Sequence, residues 1–248
     1  MRLQHATWQE VEAYLQRSTG IVVPIGSTEQ HGPNGPIGTD ALCPEAIAWA
    51  LGERHGVLVG PTQAIGMAQH HLAFPGSLTL RPSTLIAVLR DTIESLAHHG
   101  FTQVFFLNGH GGNVATVNAA FAEVLSERSL RRQPDGELHL RLFNWFAGRR
   151  GRELAETLYG EAEGNHATAS EVSLAWHVAP RTVRKVAMSP RLAPNGSAQC
   201  DAHTFRQRFP DGRMGSDPSL SRAEHGARFL EAGIEDAWEA YQAFVAES

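Results

Sequence analysis

The sequence predicts an α/β fold built around a mostly parallel sheet. Short apolar runs alternate with longer stretches of helical periodicity, which is the pattern of βαβ units. The chain has 248 residues, of which 42% are hydrophobic and 19% are charged. This composition is typical of globular domains and excludes disordered or collagen-like chains. The length suffices for one large domain, and we expect a single domain over residues 1–248.

The predicted elements can be justified in order along the first half of the chain. Apolar runs predict strands at 21–25, 57–59 and 104–107. Helical periodicity predicts helices at 44–55, 83–99 and 114–128. Pro44 lies near the first turn of the first helix, and Gly56 and Gly100 end the first and second. Asn113 is expected to cap the third. The strand at 104–107 is apolar throughout, which indicates burial on both faces.

The second half of the chain has weaker periodicity. Alternation of leucines with polar residues predicts a strand over 138–142 near the edge of the sheet. Helices are predicted at 171–178 and 223–245, the latter a long packing helix. Residues 190–221 are rich in Pro, Gly, Asp and Ser and show no period. We expect them to form a long functional loop, because long ordered loops in compact domains usually serve function.

Charge, cysteine and hydropathy patterns exclude several classes of protein. The 21 basic and 26 acidic residues give a formal charge of −5, so neither nucleic acid nor an anionic membrane is an expected partner. Cys43 and Cys200 are far apart and suggest neither a disulfide framework nor a thiolate zinc site. The first residues lack a secretory signal pattern, and no apolar run approaches the ~20 residues of a membrane helix. We therefore expect a cytoplasmic protein.

Side chains suited to metal binding follow two of the predicted strands. Parallel sheets place ligands just beyond the carboxyl ends of their strands. Glu29, His31 and Asp40 follow the first strand, and His110 follows the strand at 104–107. Glu29 and His31 are two residues apart, so in an extended segment they face the same way. Carboxylates and imidazoles together suit zinc, manganese or iron, and Asp40 is our candidate for a carboxylate shared by two ions.

Three rival catalytic motifs fail in this sequence. A dinucleotide fingerprint starting at Gly109 would need its third glycine at Val114. A phosphate-binding loop ends in Gly-Lys, but Lys185 is the only lysine. The sequence also has no Gly-x-Ser-x-Gly nucleophile elbow.

Three motifs resemble the creatininase (creatinine amidohydrolase) family of metal-dependent amide hydrolases. They are PIGSTEQHGPNGPIGTD, NGHGGN and HATASEVS. The resemblance runs from about residue 20 to about residue 175, with weaker support at 212–220. It implies a three-layer α/β/α sandwich, a centre of two divalent metal ions and a homo-oligomer, commonly a hexamer.

The resemblance also implies roles for individual residues. It implies that Glu29 binds one ion and His31 binds the other. It also implies that Asp40 bridges the two ions and that His110 is a further ligand. His166 matches a histidine that handles protons beside the substrate. Creatininase has an aromatic residue and then an acidic ligand after its second-motif histidine, where this chain has Gly111 and Gly112. We expect Glu171 to replace that missing ligand.

The resemblance predicts a metal-dependent amidohydrolase that attacks a C–N amide bond with hydroxide activated by two divalent ions, Zn, Mn or Fe. His166 would protonate the leaving nitrogen. Residues expected to contact substrate are His71, Ser77, Gly111 and Glu163. A cyclic amide, a formamide on a heterocycle and a peptide-like amide all remain open as the small-molecule or short-peptide substrate. The alternative is a non-catalytic ligand-binding α/β protein with a vestigial metal centre.

Overall fold

The central sheet is parallel, as the sequence predicts. The computed structural model describes residues 1–131 and 136–247. Its strands are β1 (Gly20–Ile25), β2 (Leu58–Val59), β3 (Gln103–Asn108) and β4 (His139–Asn144). They lie in the order β2-β1-β3-β4, and every neighbouring pair is parallel. The register pairs Val22 with Phe105 and Phe105 with Arg141. The strand predicted near the edge, β4, lies at one edge.

Five helices lie where the periodicity of the sequence predicts them. Three further helices were not predicted. The helices of the described residues are α1 (Trp8–Leu15), α2 (Thr39–His55), α3 (Pro82–His98), α4 (Val114–Leu130), α5 (Arg149–Tyr159), α6 (Ala169–Val178), α7 (Ala202–Arg208) and α8 (Ala223–Ala246). The unpredicted helices are α1, α5 and α7. No helix in this part of the chain combines the length and apolar character needed to cross a membrane.

Helices cover both faces of the sheet, which confirms the three-layer α/β/α sandwich. Successive residues of a strand point to opposite faces. On one face, Val22 and Phe105 pack in a core with residues of α2, α6 and α8. On the other, Val23 and Phe106 pack in a second core with α3 and α4. Strands β1 and β3 are therefore buried on both faces, and their free carboxyl ends are where polar groups can meet.

Helix α2 starts earlier than the sequence predicts. It begins at Thr39, so Pro44 lies inside the helix rather than in its first turn. Proline has no N–H, so it cannot donate the usual helical hydrogen bond to the carbonyl of Asp40. That carbonyl faces Gly26 and Gly109, where an added Cβ would lie 2.0 Å and 2.1 Å from its oxygen. The start of α2 thus fits between the ends of β1 and β3 because both are followed by glycine.

Replacing Gly109 with alanine should therefore displace the start of α2. The overpacked Cβ is expected to lower the free energy of unfolding by about 1–3 kcal/mol. Gly111→Ala is the matched control, because a Cβ at Gly111 would meet nothing within 4 Å. Urea unfolding of both variants measures the difference, and equal stabilities would contradict this account of how Asp40 is positioned.

The predicted cap at Asn113 is wrong. Asn113 lies in a 3₁₀ turn with helical backbone angles and makes no capping hydrogen bond to α4. Its side chain instead donates to the carbonyl of Gly26 at 2.9 Å and accepts from the backbone N–H of Met67 at 3.0 Å. Those tertiary hydrogen bonds compete with capping. They tie the loop after β3, which carries His110, to the loop after β1.

The segment at 190–221 is not a loop throughout, although its composition predicts one. It contains α7 and a 3₁₀ turn at Pro218–Leu220. Its backbone also contacts the loops at the sheet edge, because Met214 exchanges hydrogen bonds with His166 at 3.2 Å and 3.3 Å. The segment therefore supports the region where the candidate ligands lie.

Candidate metal centre

Four predicted ligands meet beyond the carboxyl ends of β1 and β3. Glu29 and His31 lie in the loop after β1, Asp40 lies in the first turn of α2, and His110 follows β3. All four side chains belong to residues that are at most 5% exposed. Burial of so many ionisable groups is unfavourable unless they are paired or bind a metal. Their convergence is therefore the main chemical feature of the structure.

The two oxygens of Asp40 face two different histidines. Oδ1 lies 3.0 Å from His31 Nε2, and Oδ2 lies 2.8 Å from His110 Nδ1. The other ring nitrogens lie 3.0 Å from the backbone carbonyls of Glu29 and Met67. A carbonyl can only accept, so those nitrogens carry hydrogens, and once the rings are neutral the nitrogens facing Asp40 are the ones that can bind a metal. Asp40 thus has the arrangement expected of a carboxylate shared by two cations.

Glu29 lies beside His110, and one of its carboxylate oxygens makes no hydrogen bond. Its Oε2 accepts from Ser27 Oγ at 2.8 Å and lies 3.3 Å from His110 Nε2. Its Oε1 lies 3.1 Å from His71 Nε2 and 3.7 Å from His166 Nδ1 without making a hydrogen bond.

The unsatisfied atoms at this site fit a metal centre. Among the described residues, the buried side-chain atoms without a hydrogen bond include Glu29 Oε1, Asp40 Oδ2 and His71 Nε2. Buried polar groups in folded proteins are nearly always satisfied, so unpartnered atoms indicate an ion or water that completes the site. Carboxylate oxygens and imidazole nitrogens gathered at one place are the donor set that a divalent cation accepts.

Glu171 approaches the cluster from α6. Its Oε1 lies 3.9 Å from His31 Nε2, and the side chain of Glu171 also accepts the backbone N–H of Thr168 in a capping box. The position of Gly112 has no room for an acidic ligand, because a Cβ there would lie 2.4 Å from His110 Nε2. The structure therefore places Glu171, rather than residue 112, within reach of a shared ion, and its role as a ligand stays a prediction.

The charges in the cluster depend strongly on one another. Burial lowers the pKa of His31, but the carboxylates of Asp40, Glu171 and Glu29 outweigh burial and raise that pKa to about 10. Burial likewise lowers the pKa of His110, and Glu29 and Asp40 raise it to about 9. Burial raises the pKa of Asp40, yet the two histidines hold it well below its usual range. Burial raises the pKa of Glu171 to about 7. The carboxylates therefore favour cations beside them.

Metal binding at pH 7 should release protons. With pKa values of about 10 and 9, His31 and His110 are protonated in the metal-free protein. A metal ligand must be deprotonated, so zinc binding is expected to release about two protons per chain. Calorimetry in buffers of different ionisation enthalpy measures this number. The release should fall as the pH rises through 9 and 10, and binding without proton release would contradict the assignment.

His166 lies beside the cluster, before the start of α6 as the sequence predicts. Its Nε2 donates to the backbone carbonyl of Gln30 at 2.9 Å, which leaves a lone pair on Nδ1. Its ring stacks on His71 with centroids 4.4 Å apart. Burial lowers the pKa of His166 well below its ordinary value and lowers the pKa of His71 to about 3. Both rings are therefore neutral at pH 7.

A cavity of about 450 Å³ opens onto the cluster. Its walls include Gly111 and Glu163, two of the residues predicted to contact substrate. His71 and Ser77 do not line it: His71 packs against Glu29, and Ser77 Oγ accepts the backbone N–H of Gln30 at 3.1 Å. Their contact with substrate stays a prediction, and their positions in the structure support a place behind the cluster. The wall also has an apolar part, formed by Trp145, Phe146, Ala155 and Phe229.

Gln30 also contacts the cluster, although the sequence pattern does not single it out. Its side-chain amide nitrogen can donate its two hydrogens to the carbonyl of Gly212 and to His71 Nδ1, both at 2.9 Å, and it lies 2.8 Å from His166 Nε2. The two-residue alternation of an extended segment places Gln30 opposite its neighbours, so it gave no reason to expect this contact. The only available signal was its position between two candidate ligands.

Known proteins of one family match this chain. The family model described as "Creatininase: Creatinine amidohydrolase" matches residues 4–241. The mycofactocin precursor peptide peptidase of Mycobacterium ulcerans (strain Agy99) is 26% identical over 237 residues, which cover 87% of this chain and 82% of that protein. The creatinine amidohydrolase of Pseudomonas putida is 34% identical over 113 residues, or 43% of this chain and 44% of that protein. A solved structure described as "Creatininase Mn" has a TM-score of 0.83 and 24% identity, covering 98% of both chains, and so shares the fold.

Proposed function

The chain belongs to the creatininase family of amidohydrolases, and from this premise we propose that it hydrolyses a C–N amide bond with water activated by two divalent ions. One observation carries the two-ion proposal: the two oxygens of Asp40 face ring nitrogens of two different histidines. A carboxylate in this position can bridge two cations and offset part of their charge.

The residues divide into two ligand sets around Asp40. His31, Asp40 and Glu171 would hold one ion, and His110, Asp40 and Glu29 would hold the other. The approach of Glu171 to His31 and the unsatisfied oxygens of Glu29 and Asp40 support this division. Mixed carboxylate and imidazole ligands suit zinc, manganese and iron alike.

His166 would move the proton during the reaction. The bound ions would supply a water of lowered pKa and polarise the substrate carbonyl. His166 is neutral, and its free lone pair on Nδ1 would accept the proton of the attacking water. The same atom would then protonate the departing nitrogen, because an amide anion is too poor a leaving group. The carbonyl of Gln30 holds the ring in the orientation that leaves Nδ1 free.

Three substrate types remain open: cyclic amides, formamides on heterocycles and peptide-like amides. A side chain at Gly111 would meet nothing within 4 Å, so the cavity lacks a wall at this position and is roomier than creatinine needs. The homo-oligomer, its hexameric form, the cytoplasmic location and the single domain over residues 1–248 stay predictions.

A hydrolysis screen tests the proposed function. The protein is stripped with a chelator and reconstituted separately with zinc, manganese or iron, then assayed with lactams, formamides and short peptides. We expect hydrolysis of at least one amide class by the loaded protein and none by the stripped protein. One bound ion or none, together with binding but no hydrolysis across the panel, would favour a non-catalytic ligand-binding protein instead.

A further inference from the structure

One wall of the cavity is formed by α5 and carries two opposite charges. Arg152 and Glu156 both line the cavity that His110, His166 and Glu171 also line. Arg152 is the only arginine or lysine on this wall among the described residues. Arg152 is exposed, so the cavity lining offers a solvent-accessible permanent positive charge that the proposed reaction does not use.

The guanidinium of Arg152 has no partner among the described side chains. Glu156 lies four residues later, yet no ion pair joins the two. Arg149 and Glu153, on the same helix with the same spacing, do form an ion pair at 3.3 Å. The charge of Arg152 is therefore not paired within α5 and is available to a ligand.

The rest of the cavity defines what such a ligand looks like. The carboxylates of Asp40 and Glu171 belong to the proposed metal sites, and burial raises the pKa of Glu163, which favours its neutral form. The aromatic rings of Trp145, Phe146 and Phe229 offer an apolar surface. A volume of about 450 Å³ fits a small organic molecule.

We propose that Arg152 binds a free carboxylate of the substrate, so that the enzyme acts on N-acyl amino acids and on short peptides cleaved near a free carboxyl terminus. A guanidinium matches a carboxylate with two parallel hydrogen bonds, which gives both affinity and orientation. This inference rests on the proposed amide hydrolysis and narrows its substrate class.

The test compares each free-acid substrate with its carboxamide analogue, which lacks the carboxylate charge. Metal-loaded protein is assayed with a panel of N-acyl amino acids and dipeptides, each in free-acid and carboxamide form. We expect kcat/KM to favour the free acid by about 10–100-fold, the range of a hydrogen-bonded charge. Arg152→Gln should remove this preference through a higher KM for the acid, with kcat little changed.

Arg149→Gln is the matched control, because its charge lies on the same helix but outside the cavity lining. It should keep the preference for the acid. The preference of the unaltered protein should also shrink as salt is added. Competitive inhibition by the released amino acid should weaken in Arg152→Gln and not in Arg149→Gln.

Two different failures remain distinguishable. If acids and carboxamides are hydrolysed equally, or if Arg152→Gln keeps the preference, the inference about Arg152 is wrong and the proposed hydrolase stands. If the loaded protein hydrolyses no member of the panel and none of the lactams or formamides, the proposed function fails and this inference fails with it.

Discussion

Replacing Asp40 with alanine should remove bound metal and activity together. Among the residues that the structure describes, only Asp40 forms ion pairs with both His31 and His110, at 3.0 Å and 2.8 Å. Without it, both proposed sites lose a ligand and the two histidines lose their main counter-charge. We expect metal analysis to show less than one ion per chain, and kcat/KM to fall by about 10⁴-fold or more.

The control for this variant is Glu53→Gln on the same helix. Glu53 is exposed and pairs with Arg2 at 3.0 Å, near the opposite end of α2 from Asp40. It should keep full metal content and rate. Asp40→Asn separates charge from size, since it preserves the volume but removes the charge that two cations require. Activity retained by a metal-free Asp40→Ala protein would refute metal-dependent hydrolysis.

Replacing His166 with alanine should leave the metals in place and remove most of the rate. General acid–base catalysis by one side chain is worth roughly 10²–10⁴-fold, so kcat should fall in that range while KM changes little. The loss should be smaller for an activated ester, whose leaving group needs no proton. Such dependence on the leaving group separates proton transfer from a general loss of structure.

His98→Ala serves as the control, because His98 is exposed at the end of α3. The metal content of His166→Ala is equally informative. His166 Nδ1 lies only 3.7 Å from Glu29 Oε1, and His166 also groups with His31 and Glu171 as candidate ligands. If this variant lost a metal ion, His166 would be a ligand, and its assignment as the proton carrier would be wrong.

The parts of the fold that follow from local pattern could be predicted from the sequence. Strands β1 and β3 are apolar runs, and α3, α4 and α8 have regular apolar faces, so hydrophobic periodicity located them. The start of α2 could not be predicted, because Pro44 usually marks a first turn. Its true position depends on the contact of the Asp40 carbonyl with Gly26 and Gly109, which are distant in sequence.

The candidate site could likewise be predicted only in part from the sequence. The rule that ligands gather at strand ends brought Glu29, His31 and His110 together correctly as a cluster. The part played by Gln30 and the places of His71 and Ser77 behind the cluster depend on how the loop after β1 folds back. Gly32, with φ of 65°, bends that loop in a way that alternation along an extended chain does not describe.

Crystals of zinc- or manganese-loaded protein provide the most direct test of the two-ion centre, because anomalous scattering locates each ion independently of the protein. We expect two peaks roughly 3.5–4 Å apart, with one oxygen of Asp40 bound to each. His31 and Glu171 should bind one ion, and His110 and Glu29 the other. A single peak, or two peaks without Asp40 between them, would contradict the proposed centre.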